Sequence, residues 1–582
     1  VPKRYRYLDL AFLAAGIILL LIFTTVYGMP FRLDDVLHMD WAREHSFWDA
    51  FDPARGEIVR SYRPLFAATI WILYHSAGTD NYFVWHLTLV GSFLIGLAYS
   101  GLTARYLSQE KNALFFSCGL YWLAFLPILN VLFWFGDLTY SIELMFTAPA
   151  WYYGLRGILE RRIGLWTIGC LLGACAVLSK EPAIVLVHLV YGGIFLLSFK
   201  EIGKKWRGAP FLSLAVACGA YLVLCIVTLQ ILVLSPTRSN RFFVFSHFNA
   251  EEIRFFILDR YRYYSENLLP PLSRLIIGFP LVFILIESLR EKYITKQRTP
   301  YVFVTAALCV AVSYLFVHSL VALSALLLVV PFLMKRGVER KRALFLLPFS
   351  LAVIIVLLVL LVTVMLVKTQ LTELSVVLAV IIGSAWASAA RKLSEELSPY
   401  LLKKRFRLTL YITCSLLAAT VVIIAAPILG QREQLLDDVR DVRFNANDAI
   451  KWMSHHLPDS ATVLLASPRL YGIARADDLT SREDEVKLYS QYTFLQGYVR
   501  SYFKNLGRFD LKVAYLEDST TLDGILHAFR ESKNSYLFLQ TGLDHDRFHS
   551  LINGKEPLTK SDSMLVSFER GKYPCEIWQI MN

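Results

Sequence analysis

The sequence predicts a mainly α-helical, polytopic membrane protein of about thirteen transmembrane helices, followed by a small soluble α/β domain. Three observations predict it. Of 582 residues, 56% are hydrophobic and only 18% charged, whereas soluble proteins carry charge at roughly a quarter of their positions. The deficit is concentrated in residues 1–430, and after Gly430 the composition becomes that of a soluble chain. Basic residues gather in alternate short segments between apolar runs, the asymmetry expected of cytoplasmic loops.

Runs of roughly 17–25 apolar residues suffice to cross a bilayer. They lie near 8–27, 82–104, 112–130, 138–158, 164–178, 182–199, 211–234, 271–289, 300–316, 319–334, 343–368, 373–390 and 408–429. The first run, Leu8 to Tyr27, is read as a span and not a cleaved signal, because no small-residue cleavage motif follows it. Lys3, Arg4 and Arg6 precede it. Alternate connections then carry Arg105 and Lys111; Arg156, Arg161 and Arg162; Lys200, Lys204, Lys205 and Arg207; Arg290 and Lys292; Lys335, Arg336 and Arg340; and Arg391, Lys392, Lys403 and Arg405. This predicts an N-terminus in the cytoplasm and residues 431–582 outside it; the membrane expected is a bacterial inner (plasma) membrane. The formal net charge of +12 is accounted for by these loops. Membrane lipids are therefore expected partners and nucleic acid is not. Seven cysteines lie in apolar runs and Cys575 stands alone in the tail. With no Cys-x-x-Cys pair, neither a disulfide framework nor a thiolate metal site is expected.

Two outward loops are long. Residues 29–81 form the first, and its apolar stretch 64–76 is too short to span. It predicts an interfacial helix with Pro64 in its first turn. Residues 235–270 form the second and mix aromatic with basic side chains, among them Arg241, Phe242, Arg260 and Tyr261. Such segments suit a headgroup layer.

The chain divides into a membrane part, 1–430, and a soluble part, 431–582. In the latter, Asn445–Leu457 predicts a helix ended before Pro458. Thr462–Ala466, Lys512–Leu516 and Tyr536–Gln540 predict strands, Leu522–Arg530 a helix between two of them, and Met564–Phe568 with Glu576–Ile580 a closing hairpin.

The chemistry-bearing residues cluster at predicted outer ends of spans. Leu33-Asp34-Asp35 follows the first span within a few residues. Adjacent carboxylates repel each other and are costly near hydrocarbon. Asp34 could cap a helix running from Asp35 towards His45, but capping needs one acid and leaves the second unexplained. A positioned carboxylate can instead take or orient an acceptor proton. His38 lies one helical turn beyond Asp34. In Tyr62-Arg63-Pro64-Leu65, Arg63 could snorkel at the membrane surface or bind a phosphate bidentately. Ser179-Lys180-Glu181-Pro182 is a tight outward turn. Its Lys–Glu pair either neutralises itself or presents Lys180 to a phosphate. Asp137 follows a Phe-Trp-Phe-Gly run at the edge of a span, with Glu143 six residues on; a second site acid, a metal ligand and a helix cap all fit it. In the tail, His545 and His549 have a spacing that can hold a metal. No third ligand is evident, so a surface helix is expected and no metal site is assigned.

Taken in order, these motifs resemble the membrane glycosyltransferases of the GT-C class. Leu33-Asp34-Asp35 is similar to the paired acids that open their first outer loop, and Arg63-Pro64-Leu65 to the basic-Pro step that follows. Tyr82–Leu87 and Leu178-Ser179-Lys180-Glu181 look like segments of protein O-mannosyltransferase-like members. The resemblance covers roughly residues 1–240 and extends to bacterial aminoarabinose transferases. It implies a GT-C-like fold, a polyprenyl-phosphate-linked sugar donor, an outward active site and inversion at the anomeric carbon. It also implies that Asp34 acts near the acceptor and that Arg63 contacts the lipid phosphate. Asp35 completes the catalytic pair, and Lys180, Glu181, Asp137 and His38 are candidate substrate-binding residues. The chain departs from the double-Pro form of the motif. It also lacks the Trp-Trp-Asp triplet of oligosaccharyltransferases, which argues against oligosaccharide transfer to Asn.

The expected activity is transfer of one sugar to a lipid, glycan or protein acceptor outside the cytoplasm. Because the leaving group is already a phosphate, no cofactor is required; a divalent metal is permitted but not indicated. The alternative is a transporter or flippase of a lipid-linked sugar. That reading calls for inverted repeats and ionisable groups at mid-membrane depth. The sequence shows no internal repeat, and the notable charges sit at span ends.

Overall fold

The computed structural model describes residues 33–52, 57–58, 61–79, 81–110, 112–125, 138–180, 182–205, 271–293, 308–314, 319–333, 344–362, 371–401, 444–465, 511–515, 535–540, 563–568 and 575–579, with a few single positions between them. The predicted spans 8–27 and 408–429, most of 211–234 and of the 235–270 loop, the helix 522–530 and His545 with His549 lie outside the described residues.

Residues 33–77 fold into α1 (Leu33–Glu44), a 3₁₀ turn (Phe47–Phe51), the two-residue strands β1 (Glu57–Ile58) and β2 (Ser61–Tyr62), and α2 (Pro64–Ala77). α2 is the helix predicted over 64–76, with Pro64 at its start. Long helices follow: α3 (Tyr82–Ser108), α4 (Ala113–Phe125), α5 (Leu138–Glu160), α6 (Ile163–Ser179), α7 (Pro182–Lys205), α8 (Pro271–Tyr293), α9 (Leu320–Leu333), α10 (Leu346–Val362) and α11 (Leu371–Leu401). Each falls on a predicted apolar run. By length and composition, Tyr82–Ser108 and Glu373–Glu395 can cross a membrane, and the second is almost wholly enclosed by its neighbours. Other helices turn apolar side chains outward: Leu171, Leu196, Val321 and Leu358 are exposed. Exposed leucines on apolar helices fit a hydrocarbon surround better than water.

Small residues and side-chain hydrogen bonds bring the helices together. A Cβ on Gly169 of α6 would sit 2.6 Å from the backbone nitrogen of Gly154 on α5. Ser117 of α4 donates to the Ala379 carbonyl of α11 at 2.8 Å, and Ser384 of α11 to the Ala104 carbonyl of α3 at 3.2 Å. Tyr191 of α7 donates to the Ala150 carbonyl of α5 at 2.6 Å.

These contacts fix helix polarity. α3, α5, α7 and α11 start at one end of the bundle, where α6 finishes. Arg105, Arg156, Arg161, Arg162 and Arg391 belong to the opposite end. There Arg156 binds both oxygens of Glu160, at 2.8 and 3.1 Å, and Arg391 lies 2.9 Å from Glu110. Among the described residues, the basic positions Arg105, Arg156, Arg161, Arg162 and Arg391 therefore share one end of the bundle.

The C-terminal segment contributes a helix, α12 (444–456), and a five-stranded mixed sheet ordered β4-β3-β5-β7-β6. Its strands are β3 (Thr462–Leu465), β4 (Lys512–Tyr515), β5 (Ser535–Gln540), β6 (Ser563–Phe568) and β7 (Cys575–Gln579). β3 is parallel to both β4 and β5, whereas β7 is antiparallel to β5 and β6. Arg508 closes the carboxyl end of α12. It donates to the carbonyls of Ser454, Leu457 and Pro458 at 2.5, 3.2 and 3.3 Å. Asp510 holds it with two bonds of 2.9 and 2.8 Å. This segment does not pack alone. Ala446, Ile450, Val463 and Ile577 share one apolar core with Met39, Phe66, Trp85 and Leu138. The Tyr82 and Phe444 rings meet at 6.3 Å, and Lys504 lies 4.0 Å from Glu44.

Candidate active site

The end of the bundle where α1, α2 and the C-terminal segment meet holds most of the sequence-predicted residues. Asp34 and Asp35 lie in the first turn of α1, whose described residues begin at Leu33. The structure buries Asp35; the side chain of Asp34 lies outside the described residues. His38 is buried one turn beyond Asp35, its ring edge-on to Phe66 of α2 at 4.9 Å. It is an interior group joining α1 to α2.

The connection from α1 to α2 is held by specific bonds. Asp49 and Ser46 form a reciprocal cap on the 3₁₀ turn, with the Ser46 N–H donating to Asp49 at 2.7 Å. That N–H first, and the Ser46 hydroxyl second, hold the Asp49 carboxyl below its ordinary pKa. Trp41 donates to the Arg55 carbonyl at 2.8 Å and Trp71 to the His45 carbonyl at 3.0 Å. Tyr62 donates to the Phe51 carbonyl at 3.2 Å. Burial, and then the Asp52 carboxylate, push its phenol above the usual value. The β1–β2 pairing, with Glu57 opposite Tyr62, delivers the chain to Arg63. Arg63 is the N-cap of α2, half-buried and non-helical at φ −141°, because the following Pro64 disfavours the helical region for it.

α2 packs on α6, and α6 ends at Lys180. Lys180 is extended (φ −163°, ψ 146°), and Pro182 opens α7 two residues later. The turn is short because Pro cannot continue the first helix but suits the start of the second. Its ammonium does not point to solvent. The Lys180 side chain is 5% exposed and forms an ion pair with Glu373, which is 2% exposed. The ammonium also sits over the Tyr140 ring of α5. Glu143, one turn further along α5, is fully buried. Its carboxylate and the Arg63 guanidinium both act electrostatically on Lys180.

Two helix ends stabilise this pair. Lys180 caps the carboxyl end of α6, where the helix dipole favours a cation. Glu373 lies in the first turn of α11, where it favours an anion. Breaking a buried pair by removing one partner costs about 3–5 kcal/mol.

The Lys180–Glu373 pair was not among the sequence expectations. Lys180 takes its carboxylate from a helix 193 residues on; Glu181, its neighbour in sequence, lies outside the described residues, as does Asp137. Glu373 was missed because it reads as the first residue of an apolar span. The available signal was an acid with no basic neighbour opening such a span, a costly placement without a partner. Among the described residues, no group of three or more His, Cys, Asp or Glu side chains converges to hold a metal ion.

The arrangement therefore joins Lys180 to Glu373 in a buried ion pair. It lies where α6 ends, and α6 packs on α2, which opens at Arg63. Cations placed at a helix-bundle edge can hold a phosphate group.

No family model matches the chain, and no curated protein matches it. Two solved structures are similar to it. One is ArnT from Cupriavidus metallidurans bound to undecaprenyl phosphate, 13% identical over 98% of this chain and 97% of that one, with a TM-score of 0.37. The other is the same protein in the apo state, 13% identical over 97% of this chain and 98% of that one, with a TM-score of 0.34.

Proposed function

We propose that this protein is an integral membrane glycosyltransferase. It moves one sugar from a polyprenyl-phosphate-linked donor to a lipid, glycan or protein acceptor on the outer side of the membrane. The observation that carries this reading is the packing of α2, which opens at Arg63, on α6, which ends at Lys180, at the end of the bundle where α1 lies.

The roles follow from charge. Asp34 takes the proton of the acceptor hydroxyl, whose oxygen attacks the anomeric carbon. Attack from the face opposite the phosphate inverts that carbon, as the GT-C resemblance implies. The bond from the anomeric carbon to the phosphate oxygen breaks, and its electron pair leaves with the phosphate. A phosphodiester with one negative charge thus becomes a monoester approaching two. Arg63 and Lys180 stabilise that developing charge. Asp35 tunes or orients its neighbour, since adjacent carboxylates titrate as a coupled pair. His38 supports the α1–α2 contact. Asp137 and Glu181, both outside the described residues, remain candidate substrate contacts by position in sequence.

Asp34→Asn tests the reading. The amide keeps shape and hydrogen-bonding capacity, so a helix-terminal role would survive almost without loss. Loss of a positioned general base costs about 10²–10⁴ in rate. Near-normal transfer by purified Asp34→Asn protein, supplied with a polyprenyl-phosphate sugar, would remove Asp34 from the mechanism.

A further inference from the structure

Glu373 has no part in the chemistry derived above, yet it holds the cation that the donor phosphate needs. Its carboxylate pairs directly with the Lys180 ammonium, and the two side chains are 2% and 5% exposed. A carboxylate held there disfavours a dianion at Lys180 more than a monoanion, because the Coulomb repulsion scales with ligand charge.

We infer that Glu373 is a positioning residue that makes the phosphate site discriminate against its own product, holding the singly charged diester donor and releasing the doubly charged monoester. This rests on the donor class proposed above. Glu373 competes with the phosphate for the Lys180 ammonium, and Tyr140 beneath that ammonium contributes no charge to the balance. Product release then does not require the enzyme to pull a dianion away from two uncompensated cations.

The experiment compares binding of undecaprenyl phosphate and its methyl diester to the full-length protein in lipid nanodiscs, for wild type, Glu373→Gln and Glu373→Asp. The amide removes the charge but can still accept a hydrogen bond from Lys180. A gain of about tenfold for the dianion implies about threefold for the monoanion, because the interaction is linear in charge. The monoester-to-diester affinity ratio should therefore rise about threefold in Glu373→Gln at pH 8. It should return to the wild-type ratio at pH 5, where the monoester, with a second pKa of about 6, carries one charge. Glu373→Asp, which keeps the carboxylate, should hold the wild-type ratio. A ratio unmoved at pH 8, or moved equally at both pH values, overturns the inference and leaves Glu373 a structural partner only. If Glu373→Gln does not accumulate folded, Glu143→Gln removes the other carboxylate acting on Lys180 and carries the same expectation. Wild type that binds neither lipid would overturn the donor class and this inference together. If wild type binds, Lys180→Ala weakens binding and the glutamine variants leave the ratio unmoved, only the present inference fails.

Discussion

Replacing Lys180 by Met removes an ammonium while keeping most of the side-chain volume, and the structure fixes what that should cost. Both partners of the Lys180–Glu373 pair are almost inaccessible, at 5% and 2% exposure. An exposed pair contributes about 0–1 kcal/mol. A buried carboxylate left without its cation costs about 3–5 kcal/mol. Lys180→Met should therefore lower the apparent unfolding midpoint of the purified protein by several degrees. Lys180→Met combined with Glu373→Met removes both charges and should recover most of that loss, since an apolar replacement of a whole buried pair is often neutral. Activity should behave differently. A hydrogen bond from an ammonium to phosphate contributes about 1.5–3 kcal/mol, or roughly 10- to 150-fold in kcat/KM for the donor. The double variant should thus be stable and still deficient in transfer from a polyprenyl-phosphate sugar. Thermal unfolding followed by circular dichroism, paired with a radiolabelled transfer assay, measures both quantities on one preparation. Recovery of stability and activity together would make Lys180 a structural residue and refute its phosphate role. A single variant as stable as wild type would refute the energetic argument.

Three further outcomes follow from the geometry. Arg63→Ala should lower kcat/KM for the donor by about 10- to 100-fold while barely moving the acceptor KM, as lost phosphate binding would; equal effects on both substrates would count against it. Gly169→Ala should destabilise the bundle by about 1–3 kcal/mol, read as a lower unfolding midpoint, because the new Cβ would meet the Gly154 backbone nitrogen at 2.6 Å. The Arg508 side chain, first, holds the Asp510 carboxyl below its ordinary value of 3.8. Its stabilisation of the α12 end is therefore complete above that value and lost only as pH falls through the lowered one. Asp510→Asn should abolish that acid-sensitive component of stability, seen as a smaller fall in unfolding midpoint on acidification.

Much of the helical framework was legible because its signal is local. Apolar runs of sufficient length mark helices wherever they occur, and Pro182 and Pro64 mark two helix starts by the same local rule. The strands were equally readable, as at Tyr536–Gln540 against β5 (Ser535–Gln540). Long-range pairing was not. Lys180 has a glutamate beside it in sequence, and nothing local says that its partner is Glu373 instead. His38 illustrates the same limit: periodicity gives its face on α1, but only the packing of α2 shows that the face is buried against Phe66. The shared core of Met39, Phe66 and Ile450 was also hidden, because each of those residues is an ordinary apolar position in its own element.

That shared core bears on how the site can work. A carboxylate acting on an acceptor must be held to within a fraction of an ångström of its productive position, and a loop alone does not supply such rigidity. Here α1 is bound on several sides. His38 meets Phe66 of α2, Trp41 anchors the Arg55 carbonyl, and Glu44 faces Lys504 of the C-terminal segment. α2 in turn rests on α6, which ends at Lys180. The acids of the first loop and the cation of the α6–α7 turn are thus joined through packed helices. The C-terminal segment closes that assembly through α12, whose end is fixed by Arg508. On this argument the C-terminal segment is a structural component of the end of the bundle that carries α1, holding α1 in place, and removing its side of the shared core should loosen α1.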